Sequence, residues 1–99
     1  MCMKFKDLRF ELEEMSGISR ARAEFPNGCG LSVINGFGTY SDRGTYEIGP
    51  LTNGALTFIK EWGDSVKGYV PPEKIDEILK HAETDSPEDY KKFLGEYLG

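Results

Sequence analysis

Two stripes of apolar side chains at helical spacing occupy the last third of the sequence. Ile75, Ile78, Leu79 and Ala82 recur at i, i+3, i+4 and i+7, and Tyr90, Phe93, Leu94, Tyr97 and Leu98 repeat the pattern. Each stripe has its own start signal. Pro71-Pro72 preset the first turn of one helix, and Glu73 favours the positive end of its dipole. Ser86 caps the other, with Pro87 at its first position and Asp89 three residues after the cap. A helix that is apolar on one side must bury that side, so the two stripes need a third surface to close over.

The middle of the chain supplies that surface. From Ser19 to Phe25 the residues alternate, with Ala21, Ala23 and Phe25 on one face and Arg20, Arg22 and Glu24 on the other. Pro26-Asn27-Gly28 then turns the chain back, since Pro fixes φ, Asn tolerates the next position and Gly takes the left-handed one. Cys29 to Asn35 returns as a second strand with Cys29, Leu31 and Val33 on one face. Thr45 to Leu51 reads as a third strand and Ala55 to Trp62 as a fourth, joined at Asn53-Gly54. A two-residue turn there would set Pro50 opposite Thr57, where Pro50 has no N–H to offer, so the spacing predicts a bulge or a wider loop from Gly49 to Gly54. Residues 1 to 15 fit both periods and read as an extended or irregular lead-in. The expected fold is α+β: a four-stranded antiparallel sheet built from hairpins, with two C-terminal amphipathic helices on one face, as one domain over residues 1–99.

Composition narrows the function. No apolar run approaches the ~20 residues of a membrane span, and MCMKFKDLRFELEE mixes charge with its apolar residues, unlike a signal peptide. The expected location is the cytoplasm, with no membrane partner. From Glu73 to Gly99 eight carboxylates meet four lysines, within a net charge of −5. Binding a phosphate backbone needs a basic surface, so direct contact with nucleic acid is not expected. Two cysteines and one histidine are too few for a four-ligand zinc site without help from a carboxylate or a second chain. No metal and no cofactor are expected. His81 has only Glu77, Thr84 and Asp85 near it in helical sequence, an ordinary surface pairing, and no Cys-His or Ser-His-Asp pattern stands out. The reading is a protein that is not an enzyme.

Recognition then falls to loops and charge. The segment NGFGTYSDRG resembles a phosphate-binding loop in its glycines but lacks Gly-Lys-Ser/Thr, and it joins strands with no helix N-terminus waiting for an anion. Its Phe37, Tyr40 and Arg43, with Tyr46 just beyond, cluster within ten residues of types enriched in binding hot spots, against the alternative of a mobile hairpin loop. Glu77, Asp85, Glu88 and Asp89 are either the solvated faces of the two helices or a negative surface that competes for a basic channel on a partner. Trp62 and Tyr69 are either a second contact patch or, as expected from the area a Trp usually buries, a cap on the sheet end under the first helix, and Cys29 is expected to be a buried thiol.

The stretch ISRARAEFPNGCGLSV, Ile18 to Val33, resembles a set of short proteins of phages and prophages. These carry an Arg-containing strand followed by Phe-Pro-Asn-Gly-Tyr-Gly-x-Ser-Val, a Gly-rich loop, a Gly-x-Tyr-Glu strand and a Gly-Tyr-hydrophobic step into an acidic helix. Here the matching residues are Phe25 to Gly30, then Gly44-Thr45-Tyr46-Glu47, then Gly68-Tyr69-Val70 before Pro71. Cys29 stands where the pattern has Tyr, and the helix from Ser86 is an addition. The resemblance implies a phage or prophage accessory protein that binds and modulates a host protein, with inhibition of a CRISPR or other nucleic-acid-processing defence complex as one form. It brings no catalytic residue. The alternative is a structural or self-assembling accessory protein, since open sheet edges can pair with a second copy as a homodimer.

Overall fold

The computed structural model describes residues 2–99. Strands β1 (Glu11–Glu13), β2 (Ile18–Glu24), β3 (Cys29–Asn35) and β4 (Tyr46–Thr52) lie side by side in chain order, all antiparallel. The far edge of β4 is shared by β5 (Ala55–Leu56), which pairs with Leu51 and Thr52, and β6 (Lys67–Val70), which pairs near Tyr46 and Ile48. Helices α1 (Pro72–Thr84) and α2 (Pro87–Tyr97) follow. The architecture is α+β, as expected, with an antiparallel sheet of six strands where four were expected. No helix of the described residues is long and apolar enough to cross a membrane.

Strand alternation decides which face the helices cover. In register, Ala21 and Ala23 of β2 meet Val33 and Leu31 of β3, which in turn meet Ile48 and Pro50 of β4. All six are buried. Ile75, Ile78, Leu79 and Ala82 of α1 and Tyr90 and Leu94 of α2 pack onto this surface at essentially zero exposure. The opposite face carries Arg20, Arg22 and Glu24, all exposed. Burying an Ile or Leu side chain stabilises by roughly 1.5–3 kcal/mol, so these two stripes supply most of what holds the helices to the sheet.

Polar contacts lock the two layers together. The Tyr90 hydroxyl, buried within α2, donates to the Gly30 carbonyl of β3 at 2.7 Å. Asn27, in the hairpin turn, donates through Nδ2 to the carbonyls of Ala82 at 2.8 Å and Asp85 at 2.7 Å. The last carbonyls of a helix have no partner inside it, and here a turn residue fills that role. α1 stops because Asp85 and Ser86 are extended (ψ 158° and 160°), and the residue before a proline avoids the helical region. Ser86 then caps α2, its Oγ accepting from the Asp89 N–H at 3.2 Å.

The fourth strand differs from its expected span. Of Ala55 to Trp62, only Ala55 and Leu56 pair with β4 as a strand. The turn before it is the tight two-residue form, with φ 51° at Asn53 and 85° at Gly54, not a bulge or a wider loop. Pro50 acts one step later. The Thr57 N–H still donates to the Pro50 carbonyl at 2.9 Å, but the return bond needs the N–H that proline lacks, and the ladder ends. The chain then dips inward at Ile59, which is buried, and β6 takes the remaining edge of β4.

The lead-in is also more structured than expected. A single 3-10 turn (Phe5–Asp7) precedes β1, and Met3, Phe5, Leu8 and Phe10 pack against the core. The Phe5 N–H donates to Asp76 Oδ1 of α1 at 2.7 Å.

Candidate protein-contact surface

The loop between β3 and β4 is held by its own polar side chains. Asn35 donates through Nδ2 to the carbonyls of Asp42 and Thr45 at 3.0 and 2.8 Å. Thr39 Oγ1 bonds the Gly36 carbonyl at 2.7 Å and Ser41 Oγ at 2.6 Å. The Tyr40 N–H donates to Glu47 Oε1 at 2.9 Å, while its carbonyl accepts the Tyr69 N–H of β6 at the same distance. These bonds cross-brace the loop. The bracing projects Phe37 into solvent at 94% exposure, with Tyr40 at 61% and Arg43 also exposed.

Tyr69 joins this surface from below. It was expected to cap the sheet under α1, but it is 58% exposed. The cause is a bulge. Three residues of β4, from Tyr46 to Ile48, face four of β6, from Val70 back to Lys67. The extra residue puts Tyr69 at φ 57°, left-handed backbone that a bulky side chain rarely adopts, and turns its ring out of the sheet. Gly68 makes the approach possible. A Cβ there would run into Tyr40 Cβ and come within 2.8 Å of the Tyr40 carbonyl oxygen. Gly68→Ala is therefore expected to cost about 1–3 kcal/mol, the usual range for overpacking. It should also expose the Tyr69 amide, measured as faster hydrogen exchange at that one position. Unchanged exchange would mean that the loop does not rest on β6.

The other candidate residues lie elsewhere. Tyr46 shares its parity with Ile48 and faces the helix layer. Its ring centroid is 4.9 Å from Phe5 and 5.5 Å from Phe10, an aromatic cluster that seats the lead-in. Glu77 is exposed on α1. Asp85 holds His81 Nδ1 at 2.8 Å through its carboxylate, while its carbonyl accepts from Asn27 and from Cys29 Sγ, the latter at 3.5 Å. The His81 ring stacks on Phe93 at 3.6 Å. Glu88 and Asp89 are exposed in the first turn of α2, where the helix dipole favours them.

Asp85, with Glu88 and Asp89 close after it, and the aromatic loop are at opposite ends of β3, while Glu77 lies farther back along α1. Asp85 bonds at Cys29, and the loop begins at Asn35. Seven strand residues span roughly 20 Å at ~3.3 Å each, so the structure does not bring the two sets of candidates into one patch. Cys29 is buried, and burial followed by the nearby Asp85 charge pushes its thiol above its ordinary range, which keeps it protonated. Among the described residues no three His, Cys, Asp or Glu side chains come together in a way that would hold a metal ion.

Sequence reasoning preferred a capping role for Tyr69 over a contact role, and it missed the glycine beneath the loop. The Gly-Tyr step was visible, but a left-handed tyrosine is dictated by the pairing of β4 with β6, which no local pattern announces. Comparison with family models, with curated proteins and with solved structures finds no match to this chain.

Proposed function

We propose that this chain is a non-enzymatic domain that binds a partner protein through the loop of Phe37, Tyr40 and Arg43 together with Tyr69. The observation that carries this reading is the braced exposure of three aromatic rings. An aromatic side chain left in water forgoes roughly 1.5–3 kcal/mol of burial, and tyrosine and arginine are common interface anchors. A frame of hydrogen bonds reduces the ordering that binding would otherwise require. The resemblance of Ile18 to Val33 to phage and prophage proteins supports a bacterial host protein as the partner. Inhibition of a defence effector is the form of modulation to test first.

The test is a pull-down from bacterial lysate with the parent chain and with Phe37→Ala/Tyr40→Ala. A stoichiometric partner is expected with the parent and lost with the variant. Both side chains are exposed, so the variant should melt within a few degrees of the parent. Equal recovery by both, or no partner with either, rejects the reading. The inhibitory form also requires that expression protects phage or plasmid in defence-positive cells.

A second reading, self-association, draws on one feature. β1 flanks only Ile18 to Arg20, so beyond it the outer edge of β2 has no strand neighbour among the described residues. Such edges template pairing. A monomeric mass by light scattering at high concentration removes this reading.

A further inference from the structure

Charge is sorted around the first turns of α1. Glu73, Asp76 and Glu77 line one flank together with Lys4 and Lys80. Lys74 lies toward the other, its ammonium 5.7 Å from the centre of the Tyr97 ring. There Lys67, Tyr69, Lys74, Tyr97 and Leu98 line an open groove of about 250 Å³. No Asp or Glu lines it, although burial and then the nearby Glu77 and Glu73 push the Tyr97 phenol up. Among the described residues neither lysine has a carboxylate within 4 Å. The groove is continuous with the aromatic loop, because its floor at Gly68 and Tyr69 is the part of β6 on which Tyr40 rests. Tyr69 points into it from a backbone conformation that bulky residues avoid, and strain of that kind gathers at ligand-binding positions.

We infer that this groove receives a short acidic segment of the partner protein, with an aromatic or apolar side chain seated against Tyr69 and Tyr97 and flanking carboxylates on Lys67 and Lys74. The inference rests on the reading of the chain as a protein-binding domain and names the chemistry of what it binds. Size argues against a small molecule, since cofactor and ligand pockets run from roughly 300 to 1,000 Å³ and enclose their occupant. Charge argues against nucleic acid. Two lysines neutralise about two phosphates, and a polyanion leaving the groove would meet the carboxylates of α1 and α2 on a chain of net charge −5. Two carboxylates on one short segment match the lysines and need nothing further.

The test is selection of random dodecapeptides displayed on phage against the full chain, followed by affinity measurement of the best synthetic peptide. Selected peptides are expected to carry at least two Asp or Glu within a few residues of an aromatic. Lys67→Glu/Lys74→Glu should weaken that peptide tenfold or more. Tyr69→Gly should weaken it as well while holding or raising the melting temperature, because glycine accepts the left-handed backbone. That pairing separates lost contact from lost fold. Neutral or basic selected peptides, no enrichment, or equal affinity after charge reversal overturns the inference. Peptides that survive charge reversal but are lost with Phe37→Ala/Tyr40→Ala sink the groove and leave the loop standing. Peptides that need the lysines, beside a lysate partner indifferent to the loop variant, do the reverse.

Discussion

Replacing Ile78 by Asp is expected to leave a chain with no cooperative thermal transition. Ile78 has no exposed surface and sits where α1 closes over the sheet. Truncating such a side chain to Ala costs about 2–5 kcal/mol. An unpaired carboxylate in the same place adds several more, because no cation reaches it. Together these approach the whole stability of a small domain, about 5–15 kcal/mol. Far-ultraviolet circular dichroism against temperature measures it directly. Ile78→Val serves as the control and should cost only about 0.5–1.5 kcal/mol. If the Asp variant melted like the parent, α1 would not be part of the core.

The second large effect is at Tyr90. Its ring has no exposed surface, and its hydroxyl is bonded to the Gly30 carbonyl. Tyr90→Ala is expected to cost about 3–5 kcal/mol through the cavity it leaves. Tyr90→Phe keeps the ring and should cost about 0.5–1.5 kcal/mol, the net value of one hydrogen bond. Burial, then the neighbouring Cys29 and Asp85, push the Tyr90 phenol far above its ordinary range. The folded state therefore keeps a proton that the unfolded chain releases near pH 10. The sign follows: the contribution is complete below about pH 10 and is lost as pH rises beyond it. The parent should lose stability in strong alkali, and Tyr90→Phe should lose less over the same window. A Phe variant with the same alkaline slope would show that the phenol titrates freely and is not bonded inside.

The helices were legible because their evidence is local. A stripe such as Ile75, Ile78, Leu79 and Ala82 states both the period and the buried face, and the Ser86-Pro87 start needs no knowledge of the rest of the chain. The first hairpin was legible for the same reason, through Pro26-Asn27-Gly28. β6 was not. Its four residues, Lys67 to Val70, show no alternation, and they form a strand only because β5 stops early and leaves half of β4 unpaired. The sequence pointed to Pro50 opposite Thr57 as the break, and the ladder does end at that pair, but the turn stays tight and does not widen to avoid it. At the candidate site, composition marked Phe37, Tyr40 and Arg43. It also marked Tyr46, whose parity with Ile48 was visible but whose burial depends on Phe5 and Phe10 arriving from the lead-in. Residues 36 and 41 positions apart meet in that cluster, and no periodicity reports such a meeting. The same holds for Tyr69, whose outward turn is set by one extra residue in a pairing of distant segments.

The bond from Asn27 to the end of α1, and that from Tyr90 to Gly30, have a consequence for how the chain is made. The amide that finishes the helix belongs to a turn synthesised more than fifty residues earlier, and the phenol that pins β3 comes sixty residues after it. On the ribosome the first hairpin must therefore wait, its apolar face not fully covered, until both helices have emerged. Closure is completed late, and a nascent chain that stops before Tyr90 holds a sheet with α1 alone above it.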